Sequence, residues 1–385
     1  FYSETRMHIT EISLTVLQLP GNTSLFSLEE SGIGVDRYWI PRSQGSADDH
    51  IHLLRVQTDD GIEGICTVGD ARYTQLRRVE LEQLRLLCIG ENPFDRERLA
   101  EKLAAATRGM FSRPGWWGSF DNCLWDIAGK AAGLPVYALL GRARETAPAY
   151  YNNRGDDLDR MVEDTQHAVA LGFPGVKDHF RRDAKENIVW QQAMREAAGP
   201  EIALFHDAAM AHYNYADALR VGRALEELDF RWLEEPIPDT RQGELQQLAA
   251  ALDIPILACE TLMNDIDLSA RWLISGATDL LRANARHGTT NVLKLAHLAE
   301  MHGTTIELNG PGGLFGLIHA HLCVSLANSS YYEYFPGGTR DEIGQEIGLL
   351  NPPLPDRGFI RPPDAPGWGT EWDWAQLQKR TVKVL

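Results

Sequence analysis

Phe230-Arg231-Trp232-Leu233-Glu234-Glu235-Pro236 is a short apolar run that ends in two carboxylates and a proline. Proline lacks a backbone N–H and pushes the residue before it toward extended geometry, so a strand ends here. Adjacent side chains on an extended chain point to opposite sides, so only one of the two acids faces a given site. Alone, such a Glu reads as a solvated turn residue or half of an ion pair. Repetition changes that reading. Upstream, Ile202-Ala203-Leu204-Phe205-His206-Asp207 is another apolar run ending in an acid, and downstream Ile254-Pro255-Ile256-Leu257-Ala258-Cys259-Glu260 is a third. Helical patterns over 215–228 and 243–252 separate them. Strand–helix alternation of this period marks parallel β/α units, and in a closed barrel the strand tips converge on one face. Asp207, Glu234 and Glu260 converging there would repel one another unless a cation lay between them. All-oxygen ligation suits a hard ion, Mg²⁺ first and Mn²⁺ second.

A chain of 385 residues fits two domains or one barrel with additions. A formal net charge of −17 argues against nucleic acid or an anionic membrane as partner. A small anionic substrate stays open, because a bound divalent ion reverses the local sign. Cys66, Cys88, Cys123, Cys259 and Cys323 are odd in number and widely spaced, without metal-type spacing. They predict reduced, packed thiols and a cytoplasmic protein. No apolar run approaches a membrane span, and no signal-peptide pattern is present. Met7 reads as a natural start, with residues 1–6 as an added stretch.

From Met7 the pattern predicts a strand over 8–16, then a long irregular segment over 19–49 carrying Tyr38, Trp39 and Arg42. A segment this long reads as a binding loop that closes over a substrate, with Trp39 and Arg42 as contacts. A hairpin follows over 51–68, turning at Asp59-Asp60-Gly61, and then helices over 76–87, 96–104 and 120–132. Strands first and helices after predict an α+β domain over 7–135. The β/α rhythm then occupies 136–350, with further strands over 146–151, 174–179, 278–284, 304–309 and 330–334. Their tips add Lys177, His179, Asn284, Asn309 and Glu333 to the three acids. The tail over 351–385 is expected to pack back on the N-terminal domain.

Lys177 and His179 are two apart on a strand and project to one face. Beside a divalent cation either can serve as a general base, because the positive field lowers its proton affinity. His206 and His212 flank Asp207, and His287 follows the Asn284 tip. His212 and His287 could supply a proton to a leaving hydroxyl, whereas His319 and His321 read as packed helix residues. Gly310, Gly312 and Gly313 read as a tight turn beside the substrate; a phosphate cradle would carry the Lys/Ser of a P-loop.

The chain resembles the enolase superfamily, and within it the group typified by mandelate racemase and the acid-sugar dehydratases. The resemblance rests on Asn122-Cys123-Leu124-Trp125-Asp126-Ile127-Ala128-Gly129-Lys130, on Gly133-Leu134-Pro135-Val136-Tyr137 with Leu139-Leu140-Gly141, and on the Trp232 to Pro236 stretch. It implies a modified TIM barrel, (β/α)₇β, under an N-terminal α+β capping domain, and Mg²⁺ as cofactor. Asp207, Glu234 and Glu260 match the ligand positions. Glu333 matches the acid that hydrogen-bonds a substrate carboxylate oxygen. Lys177 and His179 stand where the family more often has Lys-x-Lys, and Asn284 and Asn309 stand where mandelate racemase-like members carry an Asp–His dyad. The implied activity is Mg²⁺-dependent dehydration of a sugar acid. The alternatives are an epimerase or cycloisomerase acting on a carboxylate, or a metal- and ligand-binding protein without turnover. A homo-oligomer is implied by the resemblance alone.

Overall fold

The computed structural model describes residues 7–18, 27–31, 37–43, 50–68, 76–106, 116–209, 211, 213–262, 265–310, 314–336 and 343–385. The chain opens with strands β1 (Ile9–Gln18), β2 (Ser27–Ser31), β3 (Tyr38–Ser43), β4 (His50–Thr58) and β5 (Glu63–Val68). Helices α1 (Arg78–Cys88), α2 (Arg96–Ala106) and α3 (Trp116–Ala132) follow. β4 and β5 form the expected antiparallel hairpin, with Gly61 at φ 76 in its turn. Alternating side chains give their sheet two apolar faces. Leu14, Leu54, Val56 and Cys66 pack against Leu81, Leu84, Phe120 and Cys123 of the helices, while Leu17, Ile51, Leu53 and Ile65 pack against Ile347 and Leu377 near the C-terminus.

The segment read as irregular over 19–49 is a hairpin where it is described. β2 and β3 pair antiparallel, with Trp39 opposite Glu30. Tyr38-Trp39-Ile40 is a strand-prone triplet, and Pro41 is tolerated because this two-stranded sheet consists only of edges. Trp39 is 55% exposed. The side chains of Tyr38 and Arg42 lie outside the described residues.

After a short helix α4 (Val136–Leu140), strands and helices alternate: β6 (Ala147–Asn152), α5 (Leu158–Ala170), β7 (Gly175–Asp178), α6 (Ala184–Ala198), β8 (Ala203–Asp207), α7 (Tyr215–Glu227), β9 (Phe230–Glu234) and α8 (Gln242–Ala251). Then come β10 (Ile256–Ala258), α9 (Ile266–Ile274), β11 (Leu280–Ala283), α10 (Thr289–Met301), β12 (Ile306–Leu308), α11 (Phe315–Ser325) and β13 (Tyr332–Tyr334). The strands from β6 to β12 pair in parallel in chain order, β13 pairs in parallel with β6, and β12 lies against β13. Eight strands linked by seven helices make a modified (β/α)₇β barrel. The C-terminal stretch adds α12 (Ile343–Glu346), β14 (Phe359–Ile360), α13 (Trp374–Arg380) and β15 (Thr381–Val384). β14 pairs with β6 and β15 pairs with β1.

The barrel interior is built in layers with the strand period of two. Tyr150, Phe205, Trp232, Leu257, Leu280 and Tyr331 form an apolar floor, with Phe205 and Trp232 ring centroids 4.0 Å apart. Gly175 is small for a reason: a Cβ there would lie 2.8 Å from the Phe205 ring. Two residues further along these strands stand Asn152, Lys177, Asp207, Glu234, Arg282 and Glu333. An aromatic floor thus carries a charged layer at the C-terminal end of the strands. All five cysteines are buried and free. No described helix is long and apolar enough to cross a membrane.

Candidate active site

Lys177 is the centre of the charged layer. It is 1% exposed, and its Nζ lies 3.1 Å from Asp207 Oδ2, 2.8 Å from Glu234 Oε2 and 2.8 Å from Glu333 Oε1. Burial opposes its charge, but Glu234 and Glu333 outweigh burial and hold its pKa well above the ordinary lysine value. His179, on the same face, stands at the mouth with its side chain 28% exposed and Nε2 3.2 Å from Asp207 Oδ2. Period-two geometry sends the intervening Asp178 outward, where its Oδ1 lies 2.6 Å from His206 Nδ1. His206 Nε2 in turn lies 3.1 Å from the Tyr213 hydroxyl, so this histidine belongs to the packing behind the barrel. His212, Gly312 and Gly313 lie outside the described residues.

Arg282 is the functional residue that the sequence reading missed. It is 1% exposed, with Nη2 2.7 Å from Glu234 Oε1 and 3.0 Å from Glu333 Oε2, and Nε 3.6 Å from Glu260 Oε2. The signal was present in Leu280-Leu281-Arg282-Ala283-Asn284: a charge two residues before a strand tip shares that tip's inward face. The expected repulsion among the acids is therefore met by two fixed cations. Among the described residues no three acidic, histidine or cysteine side chains close into a metal-sized cage.

Glu260 does not stand at a strand tip. β10 ends at Ala258, and Cys259 at φ 85 turns the chain before Glu260 is reached. Asp239 clamps this turn, accepting from Cys259 N at 3.0 Å and from Thr261 N at 2.9 Å. Strict alternation fails at Glu235 too, because its φ of 45 leaves the extended region. Burial, and then Glu260, push the Glu235 carboxyl well above the usual range.

The other acids diverge in their protonation. Burial pushes Glu234 up to about 8 despite Arg282 and Lys177. For Asp207 the same burial penalty is outweighed by Lys177 and His179, and its pKa sits well below the carboxylate range. Glu333 is likewise held low against burial by Lys177 and Arg282, and it also accepts from Gly310 N. Gly310 must be glycine, because a Cβ there would overlap the Phe335 ring and come within 3.0 Å of Glu333 Cγ.

Asn284 and Asn309 do come together: Asn284 Nδ2 donates to Asn309 Oδ1, and both are buried. Asn284 Oδ1 also accepts from Arg286 N at 2.8 Å, which tightens the turn after β11. The cap holds this turn from above. Asn122 Nδ2 donates to Ala285 O at 2.9 Å, and Asp121 Oδ2 accepts from Thr290 N at 2.8 Å. His287, within the turn, is buried, and neither ring nitrogen is hydrogen-bonded to any of the described residues. His319 and His321 are packed as expected, His319 Nε2 accepting from Ala285 N at 2.8 Å and His321 Nδ1 from Tyr137 N at 3.2 Å.

Whether the layer suits a divalent cation is decided by donor chemistry and charge. Asp207, Glu234, Glu260 and Glu333 set four carboxyl groups against Lys177 and Arg282, and with all four ionised, as ligation requires, the layer is short of two positive charges. Glu234 is buried, and among the described residues neither of its oxygens completes a well-directed hydrogen bond, although both lie within ion-pairing distance of a cation. Hard oxygen donors short of two positive charges fit one hard divalent ion.

This combination of fold and site defines a capped (β/α)₇β enzyme with a carboxylate-rich barrel mouth. Residues 160–376 match the enolase C-terminal domain-like family, and residues 43–141 match the N-terminal domain of the mandelate racemase / muconate lactonizing enzyme family. The chain belongs to the mandelate racemase/muconate lactonizing enzyme group of the enolase superfamily. It is 28% identical over 339 residues to arabinonate dehydratase of Saccharolobus solfataricus, an alignment covering 83% of this chain and 87% of that one. It is 25% identical to the N-succinyl-L-Arg/Lys racemase of Bacillus cereus, covering 86% of this chain and 90% of the other. Among solved structures, D-glucarate dehydratase from Agrobacterium tumefaciens complexed with magnesium superposes with a TM-score of 0.79 at 28% identity, covering 98% and 100% of the two chains.

Proposed function

We propose that the protein is a Mg²⁺-dependent lyase that dehydrates a sugar acid, an aldonate or aldarate, to a 2-keto-3-deoxy acid. The observation that carries this reading is the asymmetry of the barrel mouth. Lys177 on β7 and His179 just past it stand on one side, and an amide pair, Asn284 and Asn309, stands just past β11 and β12 across the barrel. Arabinonate and D-glucarate dehydratases among the relatives favour the same substrate class, and the magnesium of the latter favours the same ion.

Asp207, Glu234 and Glu260 would hold the ion. When bound it supplies a Lewis acid that takes up the charge of an enediolate, as is general for enolase-superfamily sites. On the Lys177/His179 face it is His179 that removes the proton α to the carboxylate, because Lys177 is held protonated by its carboxylate partners. His179, the more accessible of the two, returns a proton to the β-hydroxyl, which leaves as water, and the resulting enol becomes the 2-keto acid. Glu333, fixed by Lys177, Arg282 and Gly310 N, offers a rigid edge to the substrate carboxylate. Asn284 and Asn309 can orient hydroxyls, but an amide takes no proton from carbon near neutral pH.

One observation favours a second reading. His287, three residues past Asn284, is a histidine on the amide side whose nitrogens have no hydrogen-bond partner among the described residues, and an epimerase needs a second acid–base group there. A library of aldonic and aldaric acids assayed for 2-keto products with Mg²⁺ tests the proposal. Dehydration of at least one member is expected. Epimerisation without 2-keto product would establish the second reading, and ion binding without turnover would leave a binding protein.

A further inference from the structure

Arg282 contends for the same oxygens as the ion. Its guanidinium reaches Glu234, Glu260 and Glu333 at 2.7, 3.6 and 3.0 Å from a buried position on β11. An arginine stays charged under all ordinary conditions, so this cation cannot be switched off by pH. Two of these three carboxylates, Glu234 and Glu260, are assigned above to the ion. Its terminal nitrogens donate to Glu333 and, at 3.4 Å, to the Tyr150 hydroxyl, while its Nε finds no well-directed acceptor among the described residues, so the guanidinium is held largely by charge.

We propose that Arg282 is a built-in counter-cation of the acidic layer: it holds Glu234, Glu260 and Glu333 together in the ion-free protein and lowers the affinity of the site for a divalent ion. The inference rests on the metal-dependent reading above. Arg282 acts through the acids and is therefore a positioning residue. Without it, Glu234, Glu260 and Glu333 would lose the cation that bridges them, and Lys177 alone would face Asp207, Glu234 and Glu333. With it, an arriving divalent ion meets a positive charge at close range. Across a few ångströms in a protein interior, that repulsion is large enough to weaken binding by about tenfold or more. A merely structural arginine would destabilise the ion-free and ion-bound forms alike when replaced.

Mg²⁺ titrations by calorimetry on wild type, Arg282→Gln and Arg282→Lys separate these cases, with melting temperatures taken with and without the ion. Arg282→Gln should bind Mg²⁺ about tenfold more tightly or better, melt lower without ion, and recover most of that loss when the ion is added. Arg282→Lys, which keeps the charge, should stay near wild type. Equal or weaker binding by Arg282→Gln, with wild type binding the ion, overturns the proposal and leaves the metal reading intact. Failure of both proteins to bind any divalent ion overturns the metal reading and this inference with it. If Arg282→Gln does not fold, wild type labelled with ¹⁵N-arginine decides. The Arg282 Nε–H resonance, assigned from its loss in Arg282→Lys, should shift on saturation with Mg²⁺, and an unmoved resonance refutes the counter-cation role.

Discussion

Replacing His287 with Phe should stabilise the protein, and by more in mild acid than at neutral pH. The imidazole is buried, with neither nitrogen hydrogen-bonded to any of the described residues. Burial, and then the Arg286 charge, pull its pKa from 6.5 to about 3. An unsatisfied buried polar group costs about 1–3 kcal/mol, so a phenyl ring of similar size should recover about 1 kcal/mol at about pH 7.5, where the imidazole is neutral in both states. Because the folded pKa is depressed, the neutral ring contributes its full share of stability above the unfolded value of 6.5. That share is lost progressively as the pH falls toward about 3, since the unfolded chain takes up a proton that the folded one refuses. At about pH 5, roughly 1.5 units below the unfolded value, the loss is about 2 kcal/mol. The advantage of His287→Phe should therefore grow from about 1 to about 3 kcal/mol between these pH values. Urea titrations followed by tryptophan fluorescence read this gap as a difference in midpoint. A gap that is the same at both pH values, or a loss of stability near neutrality, would show that the ring nitrogens are satisfied and refute the reasoning. If His287 also handles substrate, the stabilised variant should lose turnover, as groups kept unsatisfied for function do.

Glu234→Gln should abolish both divalent-ion occupancy and activity, and full occupancy by elemental analysis would sink that assignment. In deuterated water a true substrate should exchange its α-hydrogen without changing configuration, and His179→Ala should stop the exchange with the ion still bound. Interconversion of α-epimers at a rate comparable with dehydration would mean that a second acid–base group exists. Asp126, buried and accepting from Ile65 N, Trp368 N and Lys130 Nζ, ties the β5 hairpin strand, α3 and the C-terminal stretch together. Asp126→Ala should cost about 3–5 kcal/mol, and a loss below about 1 kcal/mol in a melting experiment would show these contacts to be redundant. If the β2–β3 hairpin closes over the site, limited proteolysis around Trp39 should slow when substrate and ion are both present, whereas unchanged cutting would argue against closure.

The sequence by itself determined the architecture, because strand and helix periods are local properties of the chain. Acid-tipped apolar runs separated by amphipathic stretches specify the β/α units, and period-two alternation places Lys177, Asp207, Glu234 and Glu333 on inward faces before any contact is known. Alternation also carried Asn284 and Asn309 inward, and the structure shows them hydrogen-bonded across adjacent strands. Tertiary structure decided the rest. Glu260 leaves its strand because Asp239, twenty residues earlier, captures the backbone amide of Cys259, a long-range bond that no local pattern announces. The hairpin of β2 and β3 depends on pairing between two segments that are each too short to declare themselves. The ring nitrogens of His287 find no hydrogen-bond partner among the described residues because residues from the cap and the barrel close around its turn together. Which cations sit among the acids was decided by barrel closure alone. Arg282 on β11 meets Glu333 on β13 and Glu234 on β9 only when the sheet curls round, because the distance between these groups is set across the barrel and not along the chain.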